Sequence, residues 1–173
     1  YYPEEAEAAI QAGATMINDI KGLDTPRMAE VLAQYPEVQV VIMHSRKRQS
    51  LSLKEELHQF YTEKIEQCQK YGLSLEKICF DPGIGFHKTV AENLQLLKDP
   101  NAFRYQDYPL LYGVSRKRTI GALTNEPEPA NRDFGSAAAS LYAAQQGVEI
   151  LRVHNVQGLK QTFDVWRALS EKE

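Results

Sequence analysis

Polar residues of complementary chemistry stand at the ends of the apolar runs in this sequence. Asn18 follows residues 15–17, His44 follows 38–43, Asp81 follows 78–80, Ser115 follows 109–114 and His154 follows 148–153, with Lys117 and Arg152 beside the last two. A carboxylate such as Asp81 accepts two parallel hydrogen bonds from a ring N–H and a neighbouring exocyclic amine. An amide such as Asn18 matches an edge that both donates and accepts, and a guanidinium such as Arg152 can lie flat on a ring face. Lys117, Arg152 and His154 together suit a phosphate or pyrophosphate. The set makes a poor metal cage, and it contains no nucleophile–base pair. Each residue also has a structural reading: Asp81 as a turn cap or a partner of Arg152, Asn18 or Asp19 as a helix cap, His44 as a packed loop residue, Arg116 and Lys117 as helix-end or surface charges. Their recurrence at successive strand ends points to a site.

Such a set converges only if the strands that carry it run side by side in one direction. Apolar runs rich in Val, Ile and Phe alternate with helical periodicity along the whole chain. Helices are predicted over 4–13, 26–35, 52–71, 89–97, 117–123, 131–146 and 158–169, and strands over 15–17, 38–43, 78–81, 109–114 and 148–153. In the long third helix Leu53, Leu57, Phe60, Tyr61, Ile65, Cys68 and Tyr71 share one face, and the last helix is expected to bury Leu159, Phe163, Trp166 and Leu169. Strand–helix alternation implies a parallel sheet with crossover helices. Neither G-x-G-x-x-G nor G-x-x-x-x-G-K-[ST] occurs, which disfavours a doubly wound nucleotide binder. Polar residues at the C-terminal ends of many strands are the pattern of a barrel mouth.

The expected fold class is therefore α/β, a partial (β/α)8 TIM barrel with about five βα units, since eight need about 250 residues. Residues 1–173 read as a single domain. Tyr1-Tyr2-Pro3 runs at once into a helical pattern, so the chain is expected to be N-terminally truncated, with the first three units missing.

The remaining bounds are broad. A net charge of −3, from 20 basic and 23 acidic residues, gives no bias towards nucleic acid or an anionic membrane, and neither is an expected partner. Cys68 and Cys79 fit no metal spacing and read as reduced, buried thiols. No apolar run approaches bilayer length and no signal-peptide pattern opens the chain. The expectation is a soluble, cytoplasmic protein.

Ile17-Asn18-Asp19, Met43-His44, Phe80-Asp81-Pro82-Gly83-Ile84-Gly85-Phe86, Gly113-Val114-Ser115-Arg116-Lys117 and Arg152-Val153-His154, in this order and spacing, resemble the dihydropteroate synthase family. The resemblance implies a TIM-barrel transferase of folate biosynthesis. Such an enzyme condenses 6-hydroxymethyl-7,8-dihydropterin pyrophosphate with 4-aminobenzoate, releases pyrophosphate, uses Mg²⁺, is a sulfonamide target, and forms a homodimer through its last helices. It further implies that Asn18, Asp81, Lys117, Arg152, Val153 and His154 bind the pterin pyrophosphate and that Lys117, Arg152 and His154 are catalytic, with no metal ligand inside this chain. The family's metal-binding Asn and mobile-loop residues would precede Tyr1, so the 173 residues alone are expected to be inactive or nearly so. Departures from the family pattern are His87 where glycine is usual, Asn155 where Asp is usual, and Arg118 where Ser is frequent. Two alternatives stand beside this reading: a non-catalytic pterin-binding remnant, and a methyltetrahydrofolate-binding methyltransferase domain. Ser115-Arg116-Lys117 with Arg152-x-His154 argues against the second, because methyl transfer has no pyrophosphate to hold.

Overall fold

Short capping motifs fix where the helices begin, and glycines and strand pairing fix the rest. The computed structural model describes residues 1–170. Its helices are α1 (Pro3–Gln11), α2 (Met28–Leu32), α3 (Leu53–Tyr71), α4 (Val90–Lys98), α5 (Arg118–Thr124), α6 (Asp133–Gln145) and α7 (Val156–Ser170). Between them lie β1 (Met16–Asp19), β2 (Gln39–Met43), β3 (Ile78–Asp81), β4 (Leu111–Tyr112) and β5 (Ile150–Leu151). Ser52 with Glu55 and Thr89 with Glu92 form reciprocal capping boxes that start α3 and α4. Gly72, at φ +79°, closes α3 in the left-handed conformation that glycine adopts without steric cost.

The strands pair in parallel and in chain order. β1 lies beside β2 with Asn18 opposite Val41, and β2 beside β3 with Met43 opposite Asp81. A bridge from Phe80 to Leu110 joins β3 to the approach of β4, and β4 pairs with β5. An unbroken order from β1 to β5 has no switch point, so right-handed crossovers put every helix on the same side of the sheet. This is a sector of a (β/α)8 barrel wall. Alternation along the strands divides the core accordingly. Val40, Ile42, Ile78, Phe80, Leu110 and Tyr112 face the helices in one large cluster, while Val41, Cys79 and Leu111, with Met16 and Ile150 against them, form a thin cluster on the other face.

Two expectations are corrected. β4 and β5 each contain two paired residues, shorter than the predicted 109–114 and 148–153, although Arg152 N still donates to Tyr112 O at 3.0 Å. The last helix does not bury Trp166 and Leu169, which are 38% and 82% exposed. α7 packs against α6, burying Leu159 and half-burying Phe163, while Trp166 and Leu169 line an open groove between the two helices. No helix among the described residues is long and apolar enough to cross a membrane.

Candidate functional site at the strand outlets

Side chains two residues apart on a strand share a face. Met16, Cys79 and Ile150 belong to the inner cluster, so Asn18, Asp81 and Arg152 stand one step higher on that same inner face. Parity thus brings together three of the predicted residues from β1, β3 and the end of β5.

Asp81 is fully buried. Its Oδ1 accepts from Gly83 N at 2.8 Å, while Oδ2 has no hydrogen-bond partner and lies 3.9 Å from Arg152 Nη2. At that distance Arg152 supplies charge rather than a hydrogen bond. Burial pushes the Asp81 carboxyl up from its usual range, against the Gly83 amide and the charges of Lys117, Arg152 and Lys88. Asn18 Oδ1 is likewise buried without a partner. Asp19 instead serves the turn, accepting from Lys21 N at 3.1 Å and Leu23 N at 2.7 Å. Capping therefore belongs to Asp19, which leaves Asn18 free.

Glycines make the approach possible. A Cβ on Gly83, at φ +72°, would sit 1.9 Å from His44 O, and one on Gly113 would sit 2.8 Å from Arg152 Nη2. The guanidinium thus lies against the bare backbone of the β4 outlet. Lys117 arches over the β3 outlet: its ammonium donates to Ile84 O and lies 4.8 Å from the centre of the Phe86 ring. Desolvation lowers its pKa to about 8, partly offset by Asp81. At the fifth outlet His154 is exposed, with Nδ1 2.9 Å from Ser115 Oγ. Val153 has the opposite parity and lines a groove between α6 and α7, so its side chain does not join the others.

His44, a strand-end residue, is buried and anchors the turn from behind. Its Nδ1 lies 3.0 Å from Lys88 Nζ and its Nε2 3.3 Å from Glu56 Oε1. A neighbouring ammonium can only donate, so Nδ1 accepts and the proton sits on Nε2. Burial and the adjacent cations Lys88, Arg46 and Arg48 hold His44 down to about 3, a neutral imidazole at physiological pH. Lys88 also donates to Gly83 O at 3.3 Å and Phe86 O at 3.2 Å, pinning both ends of the Gly83–Phe86 turn. Sequence reasoning passed over Lys88; the available signal was a lysine directly after a glycine-rich turn. Arg48 pairs with Glu56 and, at 2.8 Å, with Glu92, extending this network to α4.

Beside the mouth, Phe86, Lys117 and Arg118 line an open groove of about 880 Å³. Cations outnumber carboxylates at the mouth, and no cluster of three or more His, Cys, Asp or Glu side chains able to hold a metal occurs among the described residues. The residues present do not build a Mg²⁺ cage. Both cysteines are buried and unbonded, and burial raises the Cys79 thiol to about 12, leaving it inert at neutral pH.

A dihydropteroate synthase of Synechocystis sp. is 37% identical over 96% of this chain and 60% of its own length, and the Escherichia coli enzyme is 35% identical over 99% and 63%. The structure of Xanthomonas albilineans dihydropteroate synthase in complex with 7,8-dihydropteroate superposes with a TM-score of 0.92 at 38% identity, covering 100% of this chain and 68% of that one. The chain therefore spans about 60% of the length of the curated relatives it matches. The family described as pterin binding enzyme matches residues 1–154, a span that holds every strand outlet from Asn18 to His154, and the chain belongs to that family.

Proposed function

We propose that these outlets bind 6-hydroxymethyl-7,8-dihydropterin pyrophosphate and serve its condensation with 4-aminobenzoate to 7,8-dihydropteroate and pyrophosphate. The observation that carries this reading is the pair of buried, unpartnered acceptors, Asn18 Oδ1 and Asp81 Oδ2, on one inner face beneath the Arg152 guanidinium. Unsatisfied buried acceptors are costly in isolation, and a ring presenting adjacent N–H groups would satisfy them. The amino–imino edge of a pterin is such a ring edge, with Arg152 stacked on its face.

In this reading the bond from the exocyclic methylene to the pyrophosphate oxygen breaks first, and the aniline nitrogen then attacks the pterin-stabilised cation and loses a proton. Lys117, Arg152 and His154 stabilise the departing anion in a partly desolvated mouth, which is the main catalytic contribution; no covalent nucleophile is used. The groove lined by Phe86, Lys117 and Arg118 is the proposed seat of the aminobenzoate. Mg²⁺ is not assigned a step, because these residues do not form its cage.

Titration calorimetry with pterin pyrophosphate tests the reading. Binding is expected, and Asp81→Asn should weaken it by about 1.5–3 kcal/mol, the range for a hydrogen bond to a charged group. Unchanged affinity would return Asp81 to a turn cap, and binding without dihydropteroate formation on adding aminobenzoate, even in a chain of the relatives' full length, would favour a non-catalytic binder.

The proposed assembly is a homodimer in which a second copy covers the α6–α7 groove of about 930 Å³. Phe134, Val165 and Leu169 on its walls are 91%, 61% and 82% exposed, a concentration of apolar surface suited to a like partner. Leu169→Glu should shift sedimentation towards monomer.

A further inference from the structure

We infer that Ser115 is a positioning residue that holds His154 as its Nε2–H tautomer, so that the ring presents a proton donor to the mouth. Ser115 Oγ receives the backbone N–H of His154 at 3.2 Å and lies 2.9 Å from the ring Nδ1 of the same residue. A hydroxyl has one hydrogen and two acceptor sites. The backbone N–H takes one acceptor site. If Nδ1 also carried a proton, both groups would donate into Oγ and the hydroxyl hydrogen would need a third partner. Ser115 is only 5% exposed, and no other acceptor bonds its Oγ among the described residues. With the ring proton on Nε2, Ser115 donates to Nδ1, accepts from the backbone, and every group is satisfied.

The clamp is itself held. Arg116 N donates to Ser136 Oγ at 2.9 Å, and the Arg116 guanidinium grips Asp133 with two bonds of 2.7 and 2.9 Å. Asn155 donates to the same Asp133 at 3.3 Å and accepts from Gly158 N at 2.8 Å. Asp133 thus ties the loop carrying Ser115 to the loop carrying His154. This also accounts for Asn155: an Asp there would keep the Gly158 bond but face the Asp133 carboxylate. The purpose of the tautomer rests on the proposed function. An Nε2–H donates to an anionic oxygen, whereas an Nε2 lone pair would repel it.

Two-dimensional ring ¹⁵N–¹H spectra of the whole chain, at about pH 9 so that neutral imidazole is read, test the tautomer directly. Of the four histidines, His154 is assigned by the signal lost in His154→Gln. A single Nε2–H pattern is expected, retained in Ser115→Thr and averaged between tautomers in Ser115→Ala. An Nδ1–H pattern in the unmodified chain, or a pattern unchanged in Ser115→Ala, overturns the inference. Pyrophosphate affinity should fall about fivefold to tenfold in Ser115→Ala and recover in Ser115→Thr. If the tautomer responds as expected but the unmodified chain binds neither pyrophosphate nor pterin pyrophosphate, the clamp stands and the proposed function fails.

Discussion

The β1–β3 half and the β4–β5 half of this protein bury their chains to different degrees. In the first half, β2 and β3 are almost wholly enclosed, and Phe80 packs among Tyr61, Tyr105 and Tyr108 with ring centres 4.2, 6.3 and 5.4 Å away. Polar groups there are locked into a network from Lys88 through His44 and Glu56 to Arg48 and Glu92. In the second half the strands pair over two residues each, Arg152 and His154 are exposed, and α6 and α7 turn Phe134 and Leu169 outward. The enclosed half carries the acceptors that would select a ring, where a misplacement of an ångström matters. The open half carries cations, whose Coulombic pull tolerates movement.

Four measurements test this contrast. Phe80→Ala should cost about 3–5 kcal/mol in urea unfolding, whereas Phe134→Ser and Leu169→Ser, read where any dimer is dissociated, should change stability by no more than about 0.5 kcal/mol. Comparable losses on both sides would erase the distinction. Lys88→Met should cost about 2–3 kcal/mol by the same method, because two buried carbonyls and His44 Nδ1 lose their common donor.

The third concerns charge. Lys88 and Lys117 both have pKa values lowered to about 8, chiefly by desolvation. Anion binding needs the ammonium, so pyrophosphate affinity should hold below about pH 8 and fall as pH rises through it; Lys117→Arg should flatten that decline. Stability moves the other way. The unfolded chain keeps these protons up to the ordinary lysine range, so unfolding takes up protons above about pH 8 and the native state gains as pH rises towards 10.5. The smallest effect is at His87, which holds φ +50° in an exposed loop. His87→Gly should raise stability by about 0.5 kcal/mol in thermal unfolding, since the strain of a left-handed side chain slightly exceeds the entropy cost of glycine.

Much of the architecture was legible in the sequence. Strand–helix alternation and the polar strand ends act over a few residues, through steric limits and local hydrogen bonds, so spacing alone reveals them. The strings around Asp81 and from Ser115 to Lys117 carried the family resemblance for the same reason. Periodicity also placed the inward face of α3, but it misjudged α7. An amphipathic stripe says which residues avoid water, not what covers them, so Trp166 and Leu169 were expected inside and lie outside.

The tertiary structure decided what sequence distance hides. Asp81 and Arg152 come within 3.9 Å only because successive parallel strands share one inner face, and nothing between residues 81 and 152 specifies that separation locally. The capping role fell to Asp19 rather than its neighbour Asn18 because the turn to Leu23 closes on it. Lys88 under the glycine turn, Ser115 against His154, and Asp133 between two loops are contacts across strand outlets, set by how the sheet brings its ends together. The sequence supplied the chemical groups, while burial and register determined which acceptors lack partners and which cations face them.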